Sequence, residues 1–171
     1  MLALAACGPS DDEPPLVVEP TPERGAATGP SHGSDLFTVD HLDYRGAGGD
    51  YYFTSPTGTW RCGIVTSYDG DHSAGCHGPF PDTVEVTQDG SPHRGGRPNA
   101  VWLIPGRPAD FIVAGNPMFQ PRGGTTPPVL PYDHALIADG ITCSVDEARG
   151  VTCTDGAGHG FTVSGTAGEV Y

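Results

Sequence analysis

The chain contains no lysine: all eight of its basic residues are arginine, set against 21 acids for a net charge of −13 over 171 residues. So acidic a chain lacks the cationic stripe that meets a phosphate backbone, which excludes nucleic acid as a partner. Sustained helical periodicity is missing too. The 26 Gly and 18 Pro are together roughly twice the usual share and would break the long helices of a bundle or coiled coil. Catalytic signatures are equally scarce. The nearest stretch to a Gly-x-Ser-x-Gly elbow, Asp71-His72-Ser73-Ala74-Gly75, has Asp71 in place of the first glycine. No His-Glu-x-x-His occurs, the seven histidines lack zinc-finger spacing, and Asp69-Gly70-Asp71 lacks the later ligands of a calcium loop. No cofactor or metal is expected.

Five cysteines are present, an odd number, so a disulfide framework leaves one over. The odd one is Cys7. It closes the short run Met1-Leu2-Ala3-Leu4-Ala5-Ala6-Cys7 and is followed by Gly8, Pro9 and a cluster of acids. Leu4-Ala5-Ala6-Cys7 resembles a bacterial lipobox, which implies acylation of Cys7, cleavage before it and anchoring to a membrane surface. Several acyl chains, each methylene contributing about 0.8 kcal/mol, hold a protein on a bilayer far better than one. Residues 1–6 then read as the remnant of a signal peptide whose basic and longer apolar parts lie upstream.

Residues 7–35 carry Pro9, Pro14, Pro15, Pro20, Pro22 and Pro30 and little β-branched or aromatic content. Such a segment cannot bury enough apolar surface to offset its ordering entropy, so a disordered, extended tether is expected. More than half of the net charge sits in the first 50 residues, which hold nine acids against two arginines. After a transition over 36–50, residues 51–171 read as one all-β domain, an antiparallel sandwich or barrel. Tyr51–Thr54, Val84–Thr87, Val101–Ile104, Phe111–Val113, Ala135–Ile137 and Phe161–Val163 are short, β-rich and bounded by turn residues. Asp89–Asn99 and Asn116–Pro131 read as irregular loops.

The other four cysteines fall into two similar hairpins. Trp60, Cys62 and Ile64 alternate onto one face, as do Ile141, Cys143 and Val145. Setting Cys62 opposite Cys76 places Ile64 across from Ala74, with Tyr68-Asp69-Gly70 as the loop. Setting Cys143 opposite Cys153 places Val145 across from Val151, with Asp146–Gly150 as a five-residue turn. These registers favour Cys62–Cys76 and Cys143–Cys153, each contributing on the order of 2 to 3 kcal/mol, although four cysteines allow two other connectivities. Any of the pairings implies an oxidising, extracytoplasmic compartment.

The stretches Phe53-Thr54-Ser55-Pro56-Thr57-Gly58-Thr59-Trp60-Arg61-Cys62, Ile141-Thr142-Cys143-Ser144, Gly150-Val151-Thr152-Cys153-Thr154 and Gly158-His159-Gly160-Phe161-Thr162-Val163 carry a family likeness. Over about Tyr51 to Tyr171 the chain resembles a domain of unknown function in actinobacterial, especially mycobacterial and nocardial, secreted proteins and lipoproteins. The resemblance implies an envelope location and a shared scaffold, and carries no activity.

Two groups of residues stand out as binding candidates. Arg94, Arg97, Arg107 and Arg122 face only Asp110 within residues 90–131, a local excess of positive charge suited to an anionic envelope polymer or an envelope protein. His159 lies between two glycines just before the last predicted strand, where its ring is placed to pin the hairpin end or to touch a ligand. The expected function is therefore a non-catalytic binding or structural module held at the outer face of the membrane. The other class of reading is an envelope hydrolase or metal-dependent enzyme assembled from dispersed residues, with His72, His134 and His159 as its first candidates. The lipobox reading predicts that the reading frame upstream of Met1 encodes an Arg or Lys followed by an apolar run. Sequencing of that region checks it, and a polar frame there would overturn the lipid anchor.

Overall fold

Strict alternation builds the strands around the second cysteine pair. In β8 (Ile141–Asp146), Ile141, Cys143 and Val145 are buried while Thr142, Ser144 and Asp146 stay partly exposed. β9 (Gly150–Asp155) repeats the pattern with Val151 and Cys153 inside. β-branched residues on both faces favour this pleated backbone. The computed structural model describes residues 36–66 and 70–171. Cys7, the signal remnant over 1–6, the tether over 7–35 and the loop residues Tyr68 and Asp69 lie outside the described residues.

The remaining strands are β1 (Phe37–Thr38), β2 (Tyr51–Thr54), β3 (Arg61–Thr66), β4 (His72–His77), β5 (Ala100–Leu103), β6 (Asp110–Ile112), β7 (His134–Ala138), β10 (Gly160–Val163) and β11 (Gly168–Val170). They form two sheets, ordered β2-β3-β4-β5-β6 and β1-β7-β8-β9-β10-β11. Neither sheet closes on itself, and one continuous core takes Phe53, Ile64 and Leu103 from the first and Leu136, Val151 and Phe161 from the second. The fold is thus an all-β sandwich rather than a barrel.

Each sheet is built on a five-strand antiparallel meander whose second and third strands are joined by a disulfide: Cys62–Cys76 between β3 and β4, Cys143–Cys153 between β8 and β9. In both, the Cα atoms lie 4.1 Å apart, the close spacing of a non-hydrogen-bonded pair, where facing side chains meet most directly. The inward rows correspond strand by strand. Phe53–Cys62–Cys76–Val101–Phe111 crosses one sheet, and Leu136–Cys143–Cys153–Phe161–Val170 crosses the other. The lead-ins are exchanged: β1, which precedes the first meander, pairs parallel with β7, and Val129, which precedes the second, bridges parallel to Thr54 of β2.

Two local expectations change. Val84–Thr87 is not a strand. Its valines are buried, but its backbone bonds go to loop and edge partners, with Gly95 and Gly96 around Val86 and the Phe111 carbonyl accepting from Thr87, so the alternation reflects burial without a ladder. The turn after β8 is tighter than five residues, because Asp146 and Gly150 still pair and only Glu147, Ala148 and Arg149 loop out. Gly150 has φ +89°, and a Cβ there would sit 2.1 Å from the Val163 carbonyl oxygen, so only glycine fits. The first hairpin pairs as far as Thr66 and His72, the register expected from Cys62 opposite Cys76, and its loop at Tyr68-Asp69-Gly70 falls largely outside the described residues.

The Asn116–Pro131 segment has no regular strand yet covers the outer face of the first sheet. Phe119, fully buried, packs with Ala100 and Ile112 in a second apolar cluster. It rests on a notch left by Gly75, where a Cβ would lie 2.2 Å from Phe119 Cε2 and 2.3 Å from the Val101 oxygen. Farther along, Thr54 N–H donates to Pro128 and Leu130 N–H donates to Thr54, at 2.9 and 3.0 Å, which protects the edge of β2. Gly75→Ala is therefore expected to cost about 1–3 kcal/mol by overpacking, measured as a lower urea midpoint. Gly156→Ala, where a Cβ meets nothing within 4 Å, is the near-neutral control.

Candidate functional site

Turns of an antiparallel meander alternate between the two ends of a sandwich, and here the ends differ. At one end the turns of opposite sheets are tied together. His72 Nδ1, at the start of β4, lies 3.2 Å from Asp139 Oδ2 in the β7–β8 turn. That turn, Asp139-Gly140, has positive φ at both residues (50° and 77°), the two-residue form that matches strand twist. Beside it, Asp155 Oδ2 accepts from the Gly106 N–H of the β5–β6 turn at 2.7 Å, which joins the two sheets. The same carboxylate accepts from the N–H groups of Ala157 and His159 and faces His159 Nδ1 at 3.1 Å.

At the other end the β2–β3, β8–β9 and β10–β11 turns stand around an open cleft of about 330 Å3. Its deep part is apolar, where Trp60, Val145 and Val151 reach the end of the core. Trp60 lies over Gly78 and meets Phe80 edge-on at 5.1 Å. The rim is polar, with Ser55, Thr57, Asp146, Glu147, Ser164 and Thr166. One side-chain oxygen shapes each rim turn. Ser55 Oγ accepts from Trp60 N–H at 3.1 Å, Asp146 Oδ1 from Ala148 and Arg149 N–H at 2.9 and 2.7 Å, and Ser164 Oγ from Thr166 and Ala167 N–H at 3.3 and 3.1 Å. These local bonds hold the rim in shape before any ligand arrives.

The residues singled out from sequence are dispersed. Arg94 pairs with Asp89, Arg97 with Asp82, and Arg107 with Asp110 at 3.4 Å. Two of those acids precede residue 90, so the local positive excess is largely offset by the chain just before it. Arg122 has no carboxylate partner among the described residues. None of the four lines the cleft. His72, His134 and His159 do not converge: they bond Asp139, the Tyr132 carbonyl oxygen and Asp155 respectively. Among the described residues, no three His, Cys, Asp or Glu side chains are grouped to hold a metal. His159 pins the hairpin end through the Asp155 carboxylate. The cleft residues carry only a weak sequence signal, the Ser- and Thr-rich turns that flank the cysteine hairpins.

No family model, no curated protein and no solved structure matches the chain.

Asp155 carries the clearest pH consequence. The Gly106 N–H above all, then the His159 ring and the His159 and Ala157 N–H groups, hold its carboxyl well below its usual range against the opposing pull of desolvation. A carboxyl depressed on folding adds stability that is whole above its ordinary value of 3.8 and is lost as pH falls below that value. Asp155→Asn is thus expected to be less stable near neutrality and to lose part of the decline in stability below about pH 4. Urea titrations at stepped pH check this, and parallel acid profiles for both proteins would contradict it.

Proposed function

We propose that the protein is a non-catalytic binding module of the cell envelope, anchored through lipidated Cys7 and displayed at the outer face of the membrane. The observation that carries this reading is the contrast between the two ends of the sandwich. Polar bonds between opposing turns close one end, while the other opens as a shaped cleft with an apolar floor and a polar rim. Small-molecule sites combine these features: concavity, an apolar body and a few fixed polar groups. The two disulfides are compatible with an extracytoplasmic compartment, as the lipobox and the actinobacterial resemblance imply. The acidic, Pro-rich stretch after Cys7 would serve as the spacer between bilayer and domain. The arginines, three of them paired with acids, would act as surface solubility and loop ties rather than as the ligand site.

Filling the cleft tests the reading. Thr166 is exposed on the β10–β11 turn, and Thr166→Trp would occupy the opening without disturbing the backbone bonds to Ser164 Oγ. Full-length wild-type protein is expected to retain a component of envelope extract that the variant does not. Equal retention by both, with matching circular dichroism, would overturn the cleft as the binding site.

A further inference from the structure

Among the described residues, two buried side-chain nitrogens have no hydrogen-bond partner, His77 Nε2 and Trp102 Nε1. Buried polar groups are almost always paired, so an orphan marks a place under strain or in use. Both belong to one layer. Cys76 and Val101 face the core, so Gly75 and His77 of β4 and Ala100 and Trp102 of β5 point to the outer face of the first sheet. The segment after β6 covers that face. Phe119 sits over Gly75, with Trp102 across from it on β5 and His77 two residues along β4, its ring centroid 5.6 Å from that of His77.

The bonds of His77 fix its tautomer. Nδ1 lies 3.1 Å from the Asn99 carbonyl oxygen, and a carbonyl only accepts, so the ring proton is on Nδ1 and Nε2 is a bare acceptor. Asn99 also clamps the start of the covering segment: its side chain accepts from Ala114 N–H at 2.7 Å and donates to the Ala114 carbonyl at 3.0 Å. His77 and Asn99 line an open pocket of about 230 Å3 with Gly115, Asn116 and Pro117, which brings solvent to the edge of the ring.

A second proton on this ring has no acceptor. It would create an N–H at Nε2, out of reach of water beside the Phe119 ring. Among the described residues no carboxylate lies within ion-pair distance of His77. The charged residue opposite it on β3 is Arg61, of like sign, while Ala100 on β5 and the cover from Ala114 to Pro121 carry no titratable side chain. Burial accordingly holds the His77 pKa below its ordinary 6.5, against the opposing pull of the Asn99 bond. A histidine depressed in the closed form stabilises that form fully above its ordinary value, and progressively less as pH falls below it.

We propose that the segment from Ala114 to Pro121 is a pH-operated cover: protonation of His77 at Nε2 releases Phe119 from its seat on Gly75 and bares the apolar outer face around Trp102, Ala100 and Ile112. Opening gives both orphan nitrogens access to water. The far end of the same loop stays tied, because the bonds from Thr54 N–H to Pro128 and from Leu130 N–H to Thr54 involve no group that titrates. The cover therefore swings from one side and is shut at neutral pH.

Hydrogen exchange of the full chain, read by mass spectrometry, tests this. The bonded amides of Ala114, Met118 and Gln120 report on the cover. Their protection, corrected for the intrinsic pH dependence of exchange, is expected to fall from about pH 7.5 to about pH 5.5 by up to roughly tenfold per pH unit, since one proton is linked to opening. Peptides from β8 and β9 are expected to keep their protection over the same range. His77→Leu, which fills the position without a titratable group, is expected to give protection of the cover that does not change with pH. His77→Gln, polar but unable to ionise, is expected to do the same and carries the comparison if the leucine variant does not fold. Constant protection of the cover in the wild type would overturn the proposal. So would a fall shared by the His77 variants, or one matched in β8 and β9, where the whole domain rather than the cover would be opening.

Discussion

Two cross-strand disulfides set the arrangement on which the rest of the molecule depends. Each sits at the centre of an inward row, between the second and third strands of a meander, and both sulfur bridges are fully inside the one core shared by the sheets. The chain is rich in Gly and Pro, so its unfolded state has much backbone freedom to lose at the glycines. Closing loops of 14 and 10 residues in sequence removes part of that freedom before folding begins, by about 2 to 3 kcal/mol per bridge. The registers of β3 with β4 and of β8 with β9 are then pinned, and a one-residue slip would turn every core side chain outward.

From those fixed hairpins the two halves extend in the same way. The rows through Phe53 and Leu136 correspond position by position, and each half sends its lead-in across to the edge of the other sheet. That exchange covers the first strand of each meander, the edge most open to pairing with another chain. It also joins the halves through the backbone rather than by side-chain packing alone. The two ends of the sandwich then diverge: Asp155 and His72 bridge opposing turns at one, whereas at the other each turn satisfies its own N–H groups from Ser55, Asp146 or Ser164. A turn that bonds to itself does not need its neighbour, and a cleft can remain between such turns.

Much of the fold was legible because period-two alternation and cysteine placement are local. The spacing favoured Cys143 opposite Cys153 and Val145 opposite Val151 over the two other connectivities, and the structure has both pairs. Val84–Thr87 shows the limit of that logic. Alternation reports burial, and buried valines can be covered by a loop as well as by a ladder partner. β1 and β11 leave no readable pattern, because Phe37–Thr38 and Gly168–Val170 are short and exposed or half-exposed, with too few apolar residues to alternate. The Asp139-Gly140 dipeptide between β7 and β8 was a readable hairpin signal that the apolar runs alone did not bring out. The candidate site was less legible than the fold. Charge counted in windows of sequence made Arg94, Arg97 and Arg107 into a basic group, yet Asp82 and Asp89 fold back onto two of them.

By itself, the sequence determined the all-β class and favoured the two cysteine hairpins and their registers among three connectivities, since each depends on residues within a few positions of one another; the structure decided the pairing. Only the tertiary structure decided that the sheets form an open-ended sandwich, that Phe119 seats on Gly75, that Asp155 reaches Gly106, and that Trp60 and Asp146 border the same cleft. Those partners are brought together by sheet packing, which depends on the summed shape of both inner faces and leaves no periodic trace along the chain.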